Sequence, residues 1–185
     1  RSEGGVLEKK GMVCVISSLE TDGRVIPYDI RMGVWVTVEG ETDYIRNCFE
    51  QYKAHTDPSG RYFTLYKRWH LIGLEVGYSV ASVMLRHEPT GTAQGFNADV
   101  VATAKRDLAV GEVLDGEGGY TVWGKLLPAA TSLTLGGLPL GLAHGPRLVR
   151  PVKKGQSLSW ADVAIDTGTR AYKLRREMEA AFGPA

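Results

Sequence analysis

The stretch AKRDLAVGEVLDGEGGYTVWGK, residues 104–125, decides the fold of this chain. Its first half carries the frame apolar-x-x-Gly-x-x-Leu at residues 108–114. The same frame returns at residues 152–158, within RPVKKGQSLSWADV, residues 150–163. Two spaced copies of one short strand–turn–strand pattern predict a single small β module.

The glycine run DGEGGY, residues 115–120, can be interpreted in two ways. Its backbone amides could approach a phosphate closely, but the run contains neither of the two phosphate-binding glycine patterns and does not open a helix. A β-hairpin turn, in which glycine supplies the positive φ angles, is the favoured interpretation.

Short strand patterns separated by glycine and proline surround this stretch and predict a compact all-β unit. The predicted strands are residues 99–104, 113–114, 120–122, 138–142, 147–149 and 157–160, with a helical turn at 129–132. Thr169 then caps a predicted final helix, residues 170–182, whose charged side chains form a solvated face.

The first half of the chain has a different pattern. Strands are predicted at residues 11–19, 25–29, 33–39 and 62–67, and helices at 44–54, after a cap at Thr42, and at 71–86. This order predicts an α+β protein: an open mixed sheet with helices on one face, followed by the small all-β module and the C-terminal helix. A linker at residues 91–97 divides an incomplete α/β substrate or oligomerisation domain, 1–92, from the β module with its helix, 93–185.

Composition excludes several classes of protein. The 185 residues carry a formal net charge of +1, and the basic residues are interleaved with acidic ones, so neither a nucleic-acid partner nor a membrane surface is expected. No stretch approaches the ~20 apolar residues of a membrane helix. Cys14 and Cys48 make no disulfide framework and are predicted to be buried thiols, which favours the cytoplasm. No metal site is expected, because His55, His87 and His144 lie far apart in the sequence.

The densest polar cluster on an apolar background is YFTLYKRWHLIGLE, residues 62–75, at a predicted strand-to-helix junction. Such junctions collect ligands in α/β architectures. Tyr66, Lys67 and Arg68 are predicted to bind substrate, with the two cations holding a phosphate or carboxylate. The alternative is that Lys67 and Arg68 are ordinary surface charges.

The same cluster supplies candidate catalytic residues. His70 titrates near neutral pH and is a candidate general acid or base, with Glu75 five residues further on to orient it or share its proton. The alternative is that His70 only satisfies the start of the following helix.

Residues 98–165, with ADVVATAKRDLAVGEVLDGEGGYTVWGK and LPLGLAHGPRLVRPVKKGQSLSWADV, resemble a SAF domain, a β-clip module. Residues 3–91, above all GRYFTLYKRWHLIGLEVGYSVASVML, are similar to the segment that precedes this module in homoserine-dehydrogenase-like oxidoreductases. Within them the chain resembles the reductoisomerase-like branch that acts on 1-deoxy-D-xylulose 5-phosphate.

This resemblance implies the C-terminal portion of an NAD(P)-dependent oxidoreductase for a small, phosphorylated or carboxylated polyol or keto substrate. The family's N-terminal Rossmann half, with its glycine fingerprint, has no counterpart here. NAD(P) is therefore expected only with that missing domain or subunit, and this chain alone should bind no cofactor and be inactive. The opening Arg1, in place of methionine, also suggests a piece of a longer protein.

A second hypothesis is a stand-alone SAF module that binds a carbohydrate or mediates oligomerisation without catalysis. Tyr120, Trp123 and Trp160 would then be contact aromatics. Packing of these three in the β core is the favoured alternative. A homo-oligomer is expected in either case, because a sheet edge is left exposed.

Overall fold

The computed structural model describes residues 7, 11–15, 19–20, 23–27, 33–69 and 71–182. The chain divides into two compact units. Unit 1 comprises Arg1–Lys9 and Cys14–Thr92, and unit 2 comprises Lys10–Val13 and Ala93–Ala185. Among the described residues, no helix has the length and apolar character needed to cross a membrane.

The described residues of unit 1 form two strands and two helices in alternation: β1 (Val34–Glu39), α1 (Asp43–Gln51), β2 (Tyr62–Lys67) and α2 (Ile72–Ala81), which continues as a π-helical turn, Ser82–Arg86. Unit 2 contains β3 (Ala98–Ala104), β4 (Val113–Asp115), β5 (Val122–Pro128), α3 (Ala129–Leu135), β6 (His144–Leu148), β7 (Val163–Ala164) and α4 (Arg170–Phe182), with short 3₁₀ turns at Leu140–Leu142 and Trp160–Asp162.

Strands β1 and β2 form an antiparallel ribbon with two different faces. Because side chains alternate along a strand, the valines of β1 share one face with Phe63 and Leu65, while Trp35 and Tyr66 lie opposite each other on the other face. Helix α1 covers part of the apolar face, where the rings of Phe49 and Phe63 lie 5.5 Å apart.

Helix α1 begins where the sequence predicts it. The hydroxyl of Thr42 accepts a hydrogen bond from the Ile45 amide at 3.3 Å, which satisfies one of the amides that a helix start leaves unpaired. After α1 the chain turns back through residues 57–60, and Thr56 forms a bridge to Phe63. This tight return makes β2 antiparallel to β1.

Unit 2 is built from two small antiparallel sheets, β3–β5 and β4–β6–β7. Its centre is a fully apolar cluster with contributions from both sheets and from the segments between them: Ala102, Ala104, Leu108, Leu114, Val122, Leu138, Ala143, Leu148, Val152, Leu158 and Val163.

The two copies of the repeated frame pair with each other across this core. Leu108 and Val152 exchange backbone hydrogen bonds of 2.8 and 3.0 Å. The Gly111 amide donates to the Leu148 carbonyl at 2.8 Å, and the Gly155 amide donates to the Ala104 carbonyl at the same distance. Both glycines have φ near +80°, a conformation that costs any other residue free energy. The repeat therefore closes one module rather than forming two.

Helix α4 is held to unit 2 by a buried ion pair and an aromatic contact. The Arg175 guanidinium donates two hydrogen bonds, of 3.0 and 2.6 Å, to the carboxylate of Asp99 on β3. The hydroxyl of Ser132 donates to the same carboxylate at 2.6 Å. The rings of Trp160 and Tyr172 meet edge to face at 5.4 Å.

The α+β class and the C-terminal helix are confirmed. The sequence pattern indicated an open mixed sheet, but the described strands pair only as small antiparallel sheets. In unit 1 the return through residues 57–60 reverses the chain before β2, so β2 is antiparallel to β1. Cys14 is exposed rather than buried, and Cys48 is half-buried. In the described part of the predicted strand 11–19, residues 11–15 form no strand, whereas Leu19 forms an isolated antiparallel bridge to Val25.

The turn predicted at residues 115–120 is confirmed in its backbone conformation, but the prediction that it closes a β-hairpin is wrong. Gly116 and Gly118 have φ of 73° and 79°. However, the turn does not close a hairpin, because β4 pairs with β6 while β5 pairs with β3. The glycine run predicts that the chain turns at residues 115–120, but it does not predict which strands pair.

Candidate functional site

Lys67 and Glu75 are brought together at the junction between β2 and α2. Lys67 is the last residue of β2, and Glu75 lies in the first turn of α2. Their side chains form an ion pair, with Lys67 largely exposed and Glu75 about one-third exposed. The pair places the lysine ammonium beside Glu75 at the start of the helix, with most of the lysine side chain exposed.

Arg68 follows directly, and its guanidinium lies 4.8 Å from the centroid of the Trp69 ring. This cation–π contact holds the side chain without using its hydrogen-bond donors. No carboxylate within the described part of the chain pairs with Arg68. Its planar donor fork is therefore available for a phosphate or carboxylate.

Tyr66 is held in place by Trp35, a residue that the sequence argument did not select. The two rings stack across the ribbon with centroids 4.0 Å apart and planes at 18°. The signal was present in the alternation of VWVTVE, which places Trp35 on the face opposite the valines.

Gly33 is a second residue that the sequence argument missed. Its φ is 135°, and a Cβ atom there would lie 2.5 Å from the Tyr66 ring and 2.6 Å from the Lys67 carbonyl oxygen. Glycine is therefore required for β1 to begin beside this site.

His70 lies outside the described residues, so its predicted role in proton transfer stays a prediction. The structure does bring together the residues on either side of it. Tyr66 and Lys67 end the strand, Arg68 follows it, and Glu75 returns from the helix to contact Lys67. The arrangement offers two cations and one carboxylate on an exposed junction, which suits the binding of a small anion.

The glycine-rich turn of unit 2 has a different character. The Asp115 carboxylate accepts hydrogen bonds from the Thr121 hydroxyl and from the Tyr120 and Thr121 amides. The hydrogen bond from the Thr121 hydroxyl contributes most to lowering the pKa of Asp115 to about 2. The Lys105 ammonium donates to the Gly119 carbonyl. The Tyr120 and Thr121 amides and the Lys105 ammonium thus have hydrogen-bond partners within the turn itself.

The three candidate contact aromatics separate in the structure. Trp160 packs beside the core of unit 2 and against Tyr172, as the core interpretation predicted. Tyr120 and Trp123 are exposed, Tyr120 to 85%, so the core interpretation is wrong for these two. Within the described ranges, no three His, Cys, Asp or Glu side chains converge as a metal site.

Residues 1–76 match the model of a family described as "Oxidoreductase DRL, catalytic domain". The match covers less than half of the chain and includes the whole of the junction from Tyr66 to Glu75. No curated protein matches the chain. The first part of the chain is thus similar to an oxidoreductase catalytic domain, which supports an oxidoreductase-type function.

Proposed function

We propose that this chain contributes the substrate-binding side of an NAD(P)-dependent oxidoreductase. The substrate is a small phosphorylated or carboxylated polyol or keto compound, as in homoserine-dehydrogenase-like and reductoisomerase-like enzymes. One observation carries the proposal: the residues similar to an oxidoreductase catalytic domain end in a junction where Arg68 has no carboxylate partner among the described residues.

Each residue of the junction has a different role in this proposal. Arg68 binds the anionic group of the substrate through its donor fork, and Lys67 adds a second charge-assisted hydrogen bond. The ion pair with Glu75 positions the Lys67 ammonium. Tyr66, fixed by the stacked Trp35, offers its hydroxyl to a second polar group of the substrate. His70 and Glu75 orient or transfer the proton.

The cofactor belongs to another part of the enzyme in this proposal. In the described glycine turn the Tyr120 and Thr121 amides already donate to the Asp115 carboxylate, which favours a dinucleotide site elsewhere. NAD(P) would therefore be bound by a separate Rossmann domain or subunit, and the 185 residues alone would be inactive. The unpaired thiols of Cys14 and Cys48 favour the cytoplasm as the compartment.

The experiment uses the longest reading frame that contains this chain and follows nicotinamide oxidation with small phosphorylated keto substrates. Arg68→Gln should raise KM about 10- to 100-fold, because a hydrogen bond to a charged group contributes roughly 1.5–3 kcal/mol. His70→Gln should instead lower kcat by at least about 100-fold, as expected for a proton-transfer group.

The matched control is Arg86→Gln, which removes an exposed arginine that is already paired with Glu88. Its KM should equal that of the wild type. An unchanged kcat/KM in both Arg68→Gln and His70→Gln would overturn the site assignment. An absence of nicotinamide oxidation in every variant and in the wild type would overturn the proposed function itself.

The second candidate function is a stand-alone SAF module that binds a carbohydrate or a partner subunit. The observation in its favour is the exposure of Tyr120 and Trp123 on a unit with its own apolar core. Aromatic rings at this exposure are typical contact residues. Saturable binding of oligosaccharides by residues 93–185, lost in Trp123→Ala, would favour this function over the first.

A further inference from the structure

The polar side of helix α2 faces the rest of unit 1. The least exposed residues of the segment are Glu75, Ser79 and Ser82, which recur at three- and four-residue spacing and so share one side of the helix. Each has a partner within the unit. Glu75 pairs with Lys67, the Ser79 hydroxyl lies 3.3 Å from the Thr90 hydroxyl, and the Ser82 hydroxyl donates to the Glu88 carbonyl at 3.1 Å.

The rest of the helix surface is apolar and faces outward. Leu74 is 80% exposed and Leu85 is 79% exposed. Other large apolar side chains of the segment are also exposed: Ile72, Val76, Tyr78, Val80, Val83 and Met84. This is the reverse of a surface helix, whose apolar stripe faces the core, and it indicates that α2 is covered by another apolar surface.

The exposed apolar area is large enough for a protein interface. Taking about 60–120 Å² for a fully exposed aliphatic side chain, these residues present roughly 500 Å². The largest apolar patch on an ordinary monomer is about 300–600 Å², and a standard interface buries about 800 Å² on each partner. One helix would thus supply most of such an interface.

Two features indicate that the partner surface is α2 itself. Gly73, Gly77 and Ala81 repeat at four-residue spacing, and no atom of the described residues lies within 4 Å of where a Cβ atom on either glycine would be. A second helix can approach closely along such a line. The outward surface also carries no charged side chain from Ile72 to Leu85, because Glu75 lies on the other side. A two-fold pairing, which brings the same residues face to face, therefore opposes no like charges.

We propose that two copies of this chain associate through α2, with the helices crossing at the Gly73–Gly77 line. The association needs neither a cofactor nor a substrate. It does not depend on the oxidoreductase function, since it rests only on the surface of unit 1.

Sedimentation velocity of the 185-residue chain tests the proposal. The wild type should be a dimer at micromolar concentration. Leu74→Glu should weaken the dimer by at least about 100-fold in Kd, because each copy would place a carboxylate in an apolar interface. Val110→Glu is the matched control, since Val110 is a 61% exposed apolar residue of unit 2 and its replacement should leave the dimer unchanged.

Gly77→Leu provides a second variant that adds bulk without charge. Leucine is a better helix former than glycine, so the fold of α2 should be retained while close approach is blocked. A monomeric wild type, or a dimer that persists in both Leu74→Glu and Gly77→Leu, would overturn the proposal. A monomeric longer reading frame in which the amides of α2 resist hydrogen exchange would also overturn it, because another domain of the same polypeptide would then cover the helix.

Discussion

The two units differ in where their apolar side chains lie. Among the described residues, every buried hydrophobic side chain belongs to unit 2, between Val101 and Val163. In unit 1 the valines of β1 and Leu74 of α2 are exposed, and Ser82 is the one buried polar side chain among its described residues. Unit 2 therefore buries its own core, whereas the described apolar side chains of unit 1 are largely exposed.

The difference has a topological cause. In unit 2 the two copies of the repeated frame pair through Leu108 and Val152 and enclose a cluster between two sheets. The described residues of unit 1 form a two-stranded ribbon with one short helix against it, and an isolated ribbon is marginally stable. The contrast predicts unequal responses to mutations of the same kind in the two units.

The largest expected contrast is between two leucines. Leu138→Ala removes a fully buried side chain from the core of unit 2 and should lower the free energy of unfolding by about 4 kcal/mol. Leu74→Ala in α2 should change the free energy of unfolding of unit 2 by less than about 0.5 kcal/mol, since that side chain lies outside the core of unit 2. Denaturant unfolding followed by circular dichroism measures both. Equal losses would contradict the assignment of the core to unit 2.

The second expected effect concerns the ion pair that docks α4. Burial raises the pKa of Asp99, but hydrogen bonds from Arg175 and Ser132 outweigh it and lower the pKa below its ordinary value. Asp99→Asn should destabilise unit 2 by about 3 kcal/mol near neutral pH, because Arg175 would lose its carboxylate.

Arg176→Met is the control for this pair, since Arg176 is half-exposed on the same helix. It should change the free energy of unfolding by less than about 1 kcal/mol. Because the pKa of Asp99 is lowered in the folded state, its contribution is present above its ordinary pKa of 3.8 and is lost as the pH falls below that value. If Asp99→Asn unfolded like the wild type, the ion pair would not be what holds α4.

The smallest expected effect compares two turns. The hydrogen bond from the Thr121 hydroxyl contributes most to lowering the pKa of Asp115 to about 2. The hydrogen bond from the Ser59 hydroxyl contributes most to lowering the pKa of Asp57, also to about 2. The stability that each contributes should be complete above about 3.8 and lost as the pH falls toward 2.

Asp115→Asn should reduce the acid dependence of unit 2 by less than about 1 kcal/mol, since the turn is close to solvent. Asp57→Asn should leave the acid dependence of unit 2 unchanged. Carboxyl NMR titration measures the two pKa values directly, and an ordinary value for Asp115 would show that the turn is not closed as described.

Helices, strands and turns could be predicted where they depend on residues close together in the sequence. The strand 62–67, the cap at Thr42 and the helix from residue 170 to 182 follow from alternation, capping and helical spacing. The positive φ angles of Gly116 and Gly118 followed from the glycine run. The alternation of β1 also carried the position of Trp35, although only the structure shows that its ring stacks on Tyr66.

The sequence by itself determined that residues 62–67 form a strand, that residues 170–182 form a helix, and that chemistry-bearing residues gather at 66–75. Only the tertiary structure decided that the repeated frame pairs with itself, that Lys67 meets Glu75, and that α2 turns its apolar side outward. The reason is physical. Periodicity shows that a helix or strand has two different faces, but which face is covered depends on contacts between residues far apart in the chain.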